Sequence, residues 1–184
     1  MSRALMACTL FSMFTPSLLA KNFKWTEKQE HSIVEFTLEA SGEPFDFDAN
    51  GDDFDILVAA LIATDVIALF NGENDFTVFA PNDQAFYLLT NTDNDTDAFN
   101  AVVALLEVEG IEAVLAYHVT AGVHNSRNVT RTKMLTMLDG NTVMYDNGLL
   151  MAAQSDAMLI NIDNRLEDGM VHIIDTVLLP TIIR

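Results

Sequence analysis

The stretch over residues 76–86 constrains this chain more than any other. Phe76, Thr77, Val78, Phe79 and Ala80 are apolar or β-branched and carry no charge, the composition of a strand covered on both faces. Pro81 ends the ladder because it has no N–H to donate. Directly after it, Asn82 or Asp83 can cap a helix, whose first-turn N–H groups need an acceptor, and Ala85, Phe86, Leu88 and Leu89 give that helix an apolar side. A buried strand therefore passes into a capped helix with no intervening loop. Punctuation of this kind fixes a core and supplies no nucleophile.

The chain has 184 residues, 50% of them hydrophobic, which suffices for one domain with a substantial core. Its opening is set apart. Met1, Ser2 and Arg3 precede an apolar run over residues 4–14, and residues 15–20 end on the small residue Ala20, the layout of a signal peptide cut after Ala20. This predicts export, to the medium or cell surface or, in a bacterium, the periplasm. Residues 21–31 read as a polar linker, residues 32–180 as the domain and 181–184 as a tail. Cys8 is the only cysteine and would leave with the signal, so the mature domain would hold no disulfide and no thiolate ligand. No later stretch approaches the roughly 20 apolar residues of a membrane helix. The most apolar candidate, residues 54–70, is interrupted by Asp55 and Asp65.

Charge narrows the choice of partners. Nine Lys and Arg stand against 27 Asp and Glu, a formal net charge of −18. Residues 29–126 contain no Lys or Arg at all, while Asp48, Asp52, Asp53, Asp93, Asp95, Asp97, Glu107 and Glu109 recur through them. Such a surface repels phosphate backbones and anionic lipid heads, which excludes nucleic acid and direct membrane-surface binding as natural partners.

Periodicity gives the class. Residues 32–40 suit a helix or a leading strand, and residues 43–53, with Gly42, Pro44 and Gly51, form an acidic loop. Phe54, Leu57, Val58, Leu61 and Ile62 recur at helical spacing behind Asp52 or Asp53 as a cap. Residues 90–97 read as a solvated loop before a helix carrying Phe99, Val102, Val103, Leu105 and Leu106, and Gly110 separates that helix from a short amphipathic turn over 111–116. Beyond Tyr117-His118-Val119 the period changes. Runs at 134–138, 142–145, 149–152, 158–162 and 170–174 are divided by Asp139-Gly140-Asn141, Asp146-Asn147-Gly148 and Gln154-Ser155-Asp156, turn residues at hairpin spacing. Helices followed by a meander of strands predict an α+β domain.

Catalytic signatures are missing from the sequence. The eight glycines are too scattered for a nucleotide-binding loop, there is no G-x-S-x-G, and His31, His118, His124 and His172 have no zinc-ligand spacing. His172, inside an apolar run, reads as a hydrogen-bonded core histidine, and His118 likewise. Acidic residues are numerous enough to make carboxylate pairs by chance, so a small carboxylate-based hydrolase is kept as a lesser alternative. One cluster has an ordered spacing: Asp46, Asp48, Asn50, Gly51 and Asp52 follow the D-x-D-x-N-G order that wraps Ca²⁺ around a glycine turn. Asp53 and Leu57 stand where an EF-hand needs an aliphatic residue and a bidentate glutamate, so the closing ligands are absent. The expectation is no cofactor, with Ca²⁺ at Asp46, Asp48, Asn50 and Asp52 as the alternative. Asn94 and Asn128 open glycosylation acceptor triplets.

Near the end, Gly169-Met170-Val171-His172-Ile173-Ile174-Asp175-Thr176-Val177-Leu178-Leu179-Pro180 has the character of the opening block. With both blocks and Tyr117-His118-Val119 between them, the chain resembles the fasciclin (FAS1) family, whose members carry T-x-F-A-P-x-x-x-A-F, Y-H-V and G-V-I-H-x-I-D-x-V-L-L-P in this order. The resemblance spans residues 32–180. It implies a FAS1-like β-sandwich wedge of about seven short strands with helices alongside, in a secreted or surface protein that mediates adhesion. It also implies partner-binding residues: Tyr117 and His118 among Val114, Leu115 and Val119, and Asp163, where the family's integrin-linked Asp-Ile pair reads Asp163-Asn164. The missing isoleucine removes the basis for an integrin role and leaves adhesion to another surface polymer or to a second copy. The function expected is a non-catalytic extracellular module binding proteins or polysaccharides, with self-association among its modes, and a calcium-dependent acidic binding protein as the alternative.

Overall fold

The computed structural model describes residues 31–42, 47–64 and 66–181. The expected signal peptide, all of the linker but His31, Asp46 and residues 182–184 lie outside them. Among the described residues the order is α1 (Ile33–Ala40), α2 (Asp55–Ala63), a 3-10 turn (Val66–Leu69), β1 (Phe76–Pro81), α3 (Asp83–Thr90), α4 (Asp95–Ala116), β2 (Val119–Ala121), α5 (Ser126–Thr132), β3 (Met134–Thr136), β4 (Thr142–Asp146), β5 (Leu149–Met151), β6 (Asp156–Leu166) and β7 (Gly169–Ile174). The strands make a seven-stranded sheet in the order β2-β1-β7-β6-β5-β4-β3. It is an α+β fold, with the sheet not closed into a barrel.

The block at residues 76–86 is central, as its composition requires. β1 lies between β2, antiparallel, and β7, parallel, with Val78 opposite Val171 and Phe79 opposite His172. Alternation along β1 then feeds two cores. Val78 and Ala80 join Val171 against the helices, with Leu57, Val102 and Leu115. Phe79 and Ile174 point the other way and meet Leu135, Val143, Leu150 and Ala157 from the meander, which folds over them as the second layer of a sandwich. The close approach of β7 to β1 depends on Gly169. A Cβ there would stand 2.0 Å from the carbonyl oxygen of Phe76 and 2.9 Å from Ile33 Cδ1.

Several boundaries differ from the sequence reading, each for a physical reason. Residues 33–40 are helical, not extended, because Ser32 and Glu35 form a reciprocal capping box. α2 has no side-chain cap from Asp52 or Asp53; its first residues donate from Asp55 N–H and Ile56 N–H to the carboxylate of Asp83, at 2.9 and 3.0 Å. Asn82 caps α3, accepting from Ala85 N–H at 3.2 Å, which leaves Asp83 free for this longer-range task. α4 begins at Asp95, inside the expected loop, because Asn94 accepts from Asp97 N–H. Its break lies at Glu107, with φ 56° and ψ 178°, not at Gly110, which is helical and packed under Leu106. β2 and α5 are short and carry too few apolar residues to show a period. β6 runs four residues beyond the expected run at 158–162 through two bulges, the register against β7 shifting between Leu159 and Asn161 and again between Asn161 and Asn164.

Candidate functional site

Three features stand out from this frame: a convergence of aspartates, a buried Tyr-His pair and an exposed apolar sheet face.

The aspartates come from four segments. Asp83 and Asp95 are the first residues of α3 and α4, Asp55 opens α2, Asp53 precedes it and Asp48 lies in the loop before that. Asp55, Asp83 and Asp95 are fully buried and Asp53 nearly so. One carboxylate oxygen each from Asp53, Asp55 and Asp83 lie within 4.8 Å of one another, and so do those of Asp48, Asp55 and Asp95, so that Asp55 belongs to both groups. Helix starts explain why acids collect here: the first-turn N–H groups of three helices need acceptors from outside their own helix. Asp83 accepts from α2, and Asp95 accepts from Ala49 N–H at 2.8 Å and from the Tyr87 hydroxyl.

Burial of so much like charge forces protons onto the cluster. Loss of solvent, then the hydrogen bond that Asp83 donates to Asp53 and the charges of Asp53 and Asp95, push the Asp83 carboxyl up to about 9, against the opposing Ile56 N–H. Burial also raises Asp53, opposed by its hydrogen bonds to Asp83 and Asn50. The Asp53 and Asp83 carboxyls therefore hold a shared proton at neutral pH. Burial and then Asp95 raise Tyr87 as well, which keeps its phenol a neutral donor. Of the calcium set read from the sequence, Asp48 joins the cluster, Asn50 serves it by donating Nδ2–H to Asp53 at 2.9 Å, Asp52 is exposed and Asp46 lies outside the described residues. What the sequence reading lacked was the pairing of residues 48–55 with Asp83 and Asp95, which only the third dimension supplies.

The pair Tyr117-His118 is buried. Tyr117 donates its hydroxyl to the Thr142 carbonyl at 3.1 Å and accepts from Ala153 N–H at 3.2 Å, bridging β4 to the turn after β5. His118 donates Nδ1–H to the Val114 carbonyl at 2.6 Å and accepts from Leu178 N–H on Nε2 at 2.9 Å. Burial pushes its imidazole down to about 4, so it is neutral. Neither side chain reaches the surface, and any effect on a partner must pass through the shape they hold. Asp163, half-buried with φ 64°, accepts from Ser126 N–H and Oγ–H, both at 2.6 Å, and fixes the start of α5. Its own N–H donates to His172 Nδ1, while His172 Nε2–H donates to the His124 carbonyl. Asn94 is engaged in its helix cap, and Asn128 is exposed on α5. Two interior cavities of about 20 Å³ each lie among mostly apolar side chains, Phe79 and Phe86 among them, and His118, and none of the clustered acids lines them.

The outer face of the meander is the least expected surface. Met134, Met144 and Met151 face one another across β3, β4 and β5, and Leu149 faces Met158 of β6. These side chains and Ile160, two residues beyond Met158, point away from the core: Met134 is 56% exposed, Met144 49%, Met151 40%, Met158 54% and Ile160 56%. Their alternation with buried Leu135, Val143, Leu150 and Ala157 is complete. A solvated sheet face ordinarily carries polar residues throughout; here Thr136, Thr142, Asp146 and Asp156 lie around the edge of a contiguous apolar patch.

Comparison with known proteins agrees with this geometry. The chain is similar to Protein sll1483 of Synechocystis sp., 26% identical over 181 residues, covering 96% of this chain and 94% of that protein. It is similar to human periostin, 27% identical over an alignment of 143 residues that covers 73% of this chain and 15% of periostin. Among solved structures it resembles a FAS1 domain pair from the insect cell adhesion molecule fasciclin I, with a TM-score of 0.59 at 13% identity, over 81% of this chain and 51% of that one. The family model for the fasciclin domain matches residues 52–180, and the chain belongs to the fasciclin domain family.

Proposed function

We propose that the protein is an exported, non-catalytic adhesion or matrix-interaction module that binds extracellular proteins or polysaccharides through contact area. Membership of the fasciclin domain family supports the adhesion role. The observation that carries it further is the apolar outer face of β3–β6, because patches of this extent on soluble domains serve association. Beads coated with the chain should adhere to surfaces bearing extracellular proteins or glycans, and no glycan or peptide should be turned over. Coated beads that adhere to nothing, or measurable turnover, would remove this reading.

A calcium-dependent form of the same module is supported by the carboxylate convergence. Oxygens opposite one another around a Ca²⁺ ion stand about 4.8 Å apart, given Ca–O distances of about 2.4 Å, and each of the two triads fits inside that limit. Binding must displace the proton shared by Asp53 and Asp83, so it should strengthen with pH. Millimolar Ca²⁺ should raise the melting temperature more at pH 8 than at pH 5. An equal effect at both, or none, assigns the cluster to proton sharing alone.

A further inference from the structure

We infer that the methionine face of β3–β6 pairs with the same face of a second copy, sheet against sheet, about a two-fold axis. This deepens the adhesion reading above and rests on it for its biological use, though not for its physics.

The face is built for a partner like itself. Its centre is Met134, Met144 and Met151 in one cross-strand row with Met158 diagonal to it; the row ends on Asp156, opposite Met151, and the Thr136–Thr142 pair borders it. The methionine side chains themselves give a partner selected by charge nothing to read, and the carboxylates stand only at the rim. A second copy offers the same row, and in an isologous contact each methionine meets its counterpart's neighbours, so one patch satisfies both sides. Methionine side chains are unbranched and flexible enough to interdigitate without a preset shape. Two packed sheets sit about 10 Å apart with strands aligned to within about 30°, which is the geometry such side chains fill.

The area decides the strength. The exposed parts of Met134, Met144, Met151, Met158 and Ile160 amount to roughly 500 Å² per copy, so a symmetric pair buries from them at most on the order of 1,000 Å², the lower edge of specific interfaces and the range of weak, reversible ones. The rim sets a condition. Asp146 and Asp156 end the rows beside Leu149 and Met151, and the chain carries a net charge of −18. Like charges oppose the approach while the apolar faces favour it, so pairing should strengthen as salt screens the repulsion. An interface held by ion pairs would respond with the opposite sign.

Sedimentation velocity of the full chain over a concentration series, from low salt to molar NaCl, tests this. Wild type should form a dimer whose Kd falls at least about tenfold across the salt range. Met144→Glu, and separately Met158→Lys, should weaken it by about tenfold or more with melting temperature unchanged. Wild type that remains monomeric at several hundred micromolar in molar salt overturns the pairing, and so does a dimer indifferent to both substitutions. Resistance of Met144 to peroxide oxidation in the monomer would place a segment of the same chain on the face and overturn it too. Bead adhesion separates the two readings. Beads that bind matrix surfaces while the chain stays monomeric defeat the pairing alone, and a salt-promoted dimer whose beads adhere to nothing defeats the adhesion reading alone.

Discussion

The imidazole of His172 lies stacked on the ring of Phe79, with centroids 5.5 Å apart and planes inclined by 20°. The two residues are direct partners in the parallel ladder between β1 and β7, and both are fully buried. The contact couples the strand that organises the first half of the domain to the one that closes the second.

Phe79→Ala removes the ring at that contact and opens the second core beneath Ile174 and Leu178. It should cost about 3–5 kcal/mol in chemical denaturation, the range for a buried phenylalanine. An unchanged unfolding midpoint would contradict the central position of β1.

Stability should pass through a maximum in pH. His118 is held neutral by burial, its folded value about 4 against 6.5 when free, and burial lowers His172 too. Each contributes stability that is present above about 6.5 and lost as pH falls through the folded value. Asp83 works in the other direction: raised from 3.8 to about 9, it contributes stability present below its unfolded value and lost as pH rises. In EDTA, denaturation free energies should peak near pH 6 to 7, roughly where the two trends cross. Asp53→Asn removes one like charge beside Asp83 and should flatten the alkaline limb. An alkaline limb equally steep in that variant would show that Asp53 does not share the proton.

Ionic strength should matter to the monomer as well. With no Lys or Arg in residues 29–126, the acids of α2 to α4 repel one another without basic partners from the same stretch. The melting temperature of Met144→Glu, which removes pairing from the measurement, should rise from low to molar NaCl. A flat profile with both NaCl and CaCl₂ would mean that self-repulsion is not a meaningful term.

Tyr117→Phe keeps the ring and deletes both hydroxyl contacts, leaving Ala153 N–H without its acceptor. It should lower stability by about 1–3 kcal/mol. Adhesion should fall only as far as the folded fraction does, since the side chain is buried. Adhesion lost by a fully folded Tyr117→Phe would instead give the hydroxyl a contact role.

What could be read from the sequence was what neighbours in the chain decide. The β1 block, the Asn82-Asp83 cap and the hairpin turns each depend on a few consecutive residues, and each appears in the fold. The acidic loop shows the limit. Residues 46–52 read as a local ion-binding loop because their spacing is local, whereas Asp48 and Asp53 find their company in Asp83 and Asp95, two helix starts away. Capping of α2 was missed for the same reason, since the acceptor of the Asp55 N–H lies 28 residues downstream. Tyr117 and Asp163 were marked by resemblance, and their hydrogen-bond partners, Thr142, Ala153 and Ser126, could not be named without the sheet. The methionine row had a signal available: alternation in 134–136, 142–146, 149–151 and 156–160 puts methionine on the outward phase every time. Each run alone looked only like a strand.

The parallel pairing of β1 with β7 also sets a timetable. Phe76 meets Gly169 and Pro81 meets Ile174, so the whole β7 side of β1 has no partner until the end of the domain has been synthesised. Contacts this distant in sequence form late and slowly. A nascent chain halted at residue 168 would have its helices and its meander, yet β1 would still present a bare edge and the ring of Phe79 would lack its lid. The order of synthesis therefore leaves the closing of this edge to the last strand of the domain.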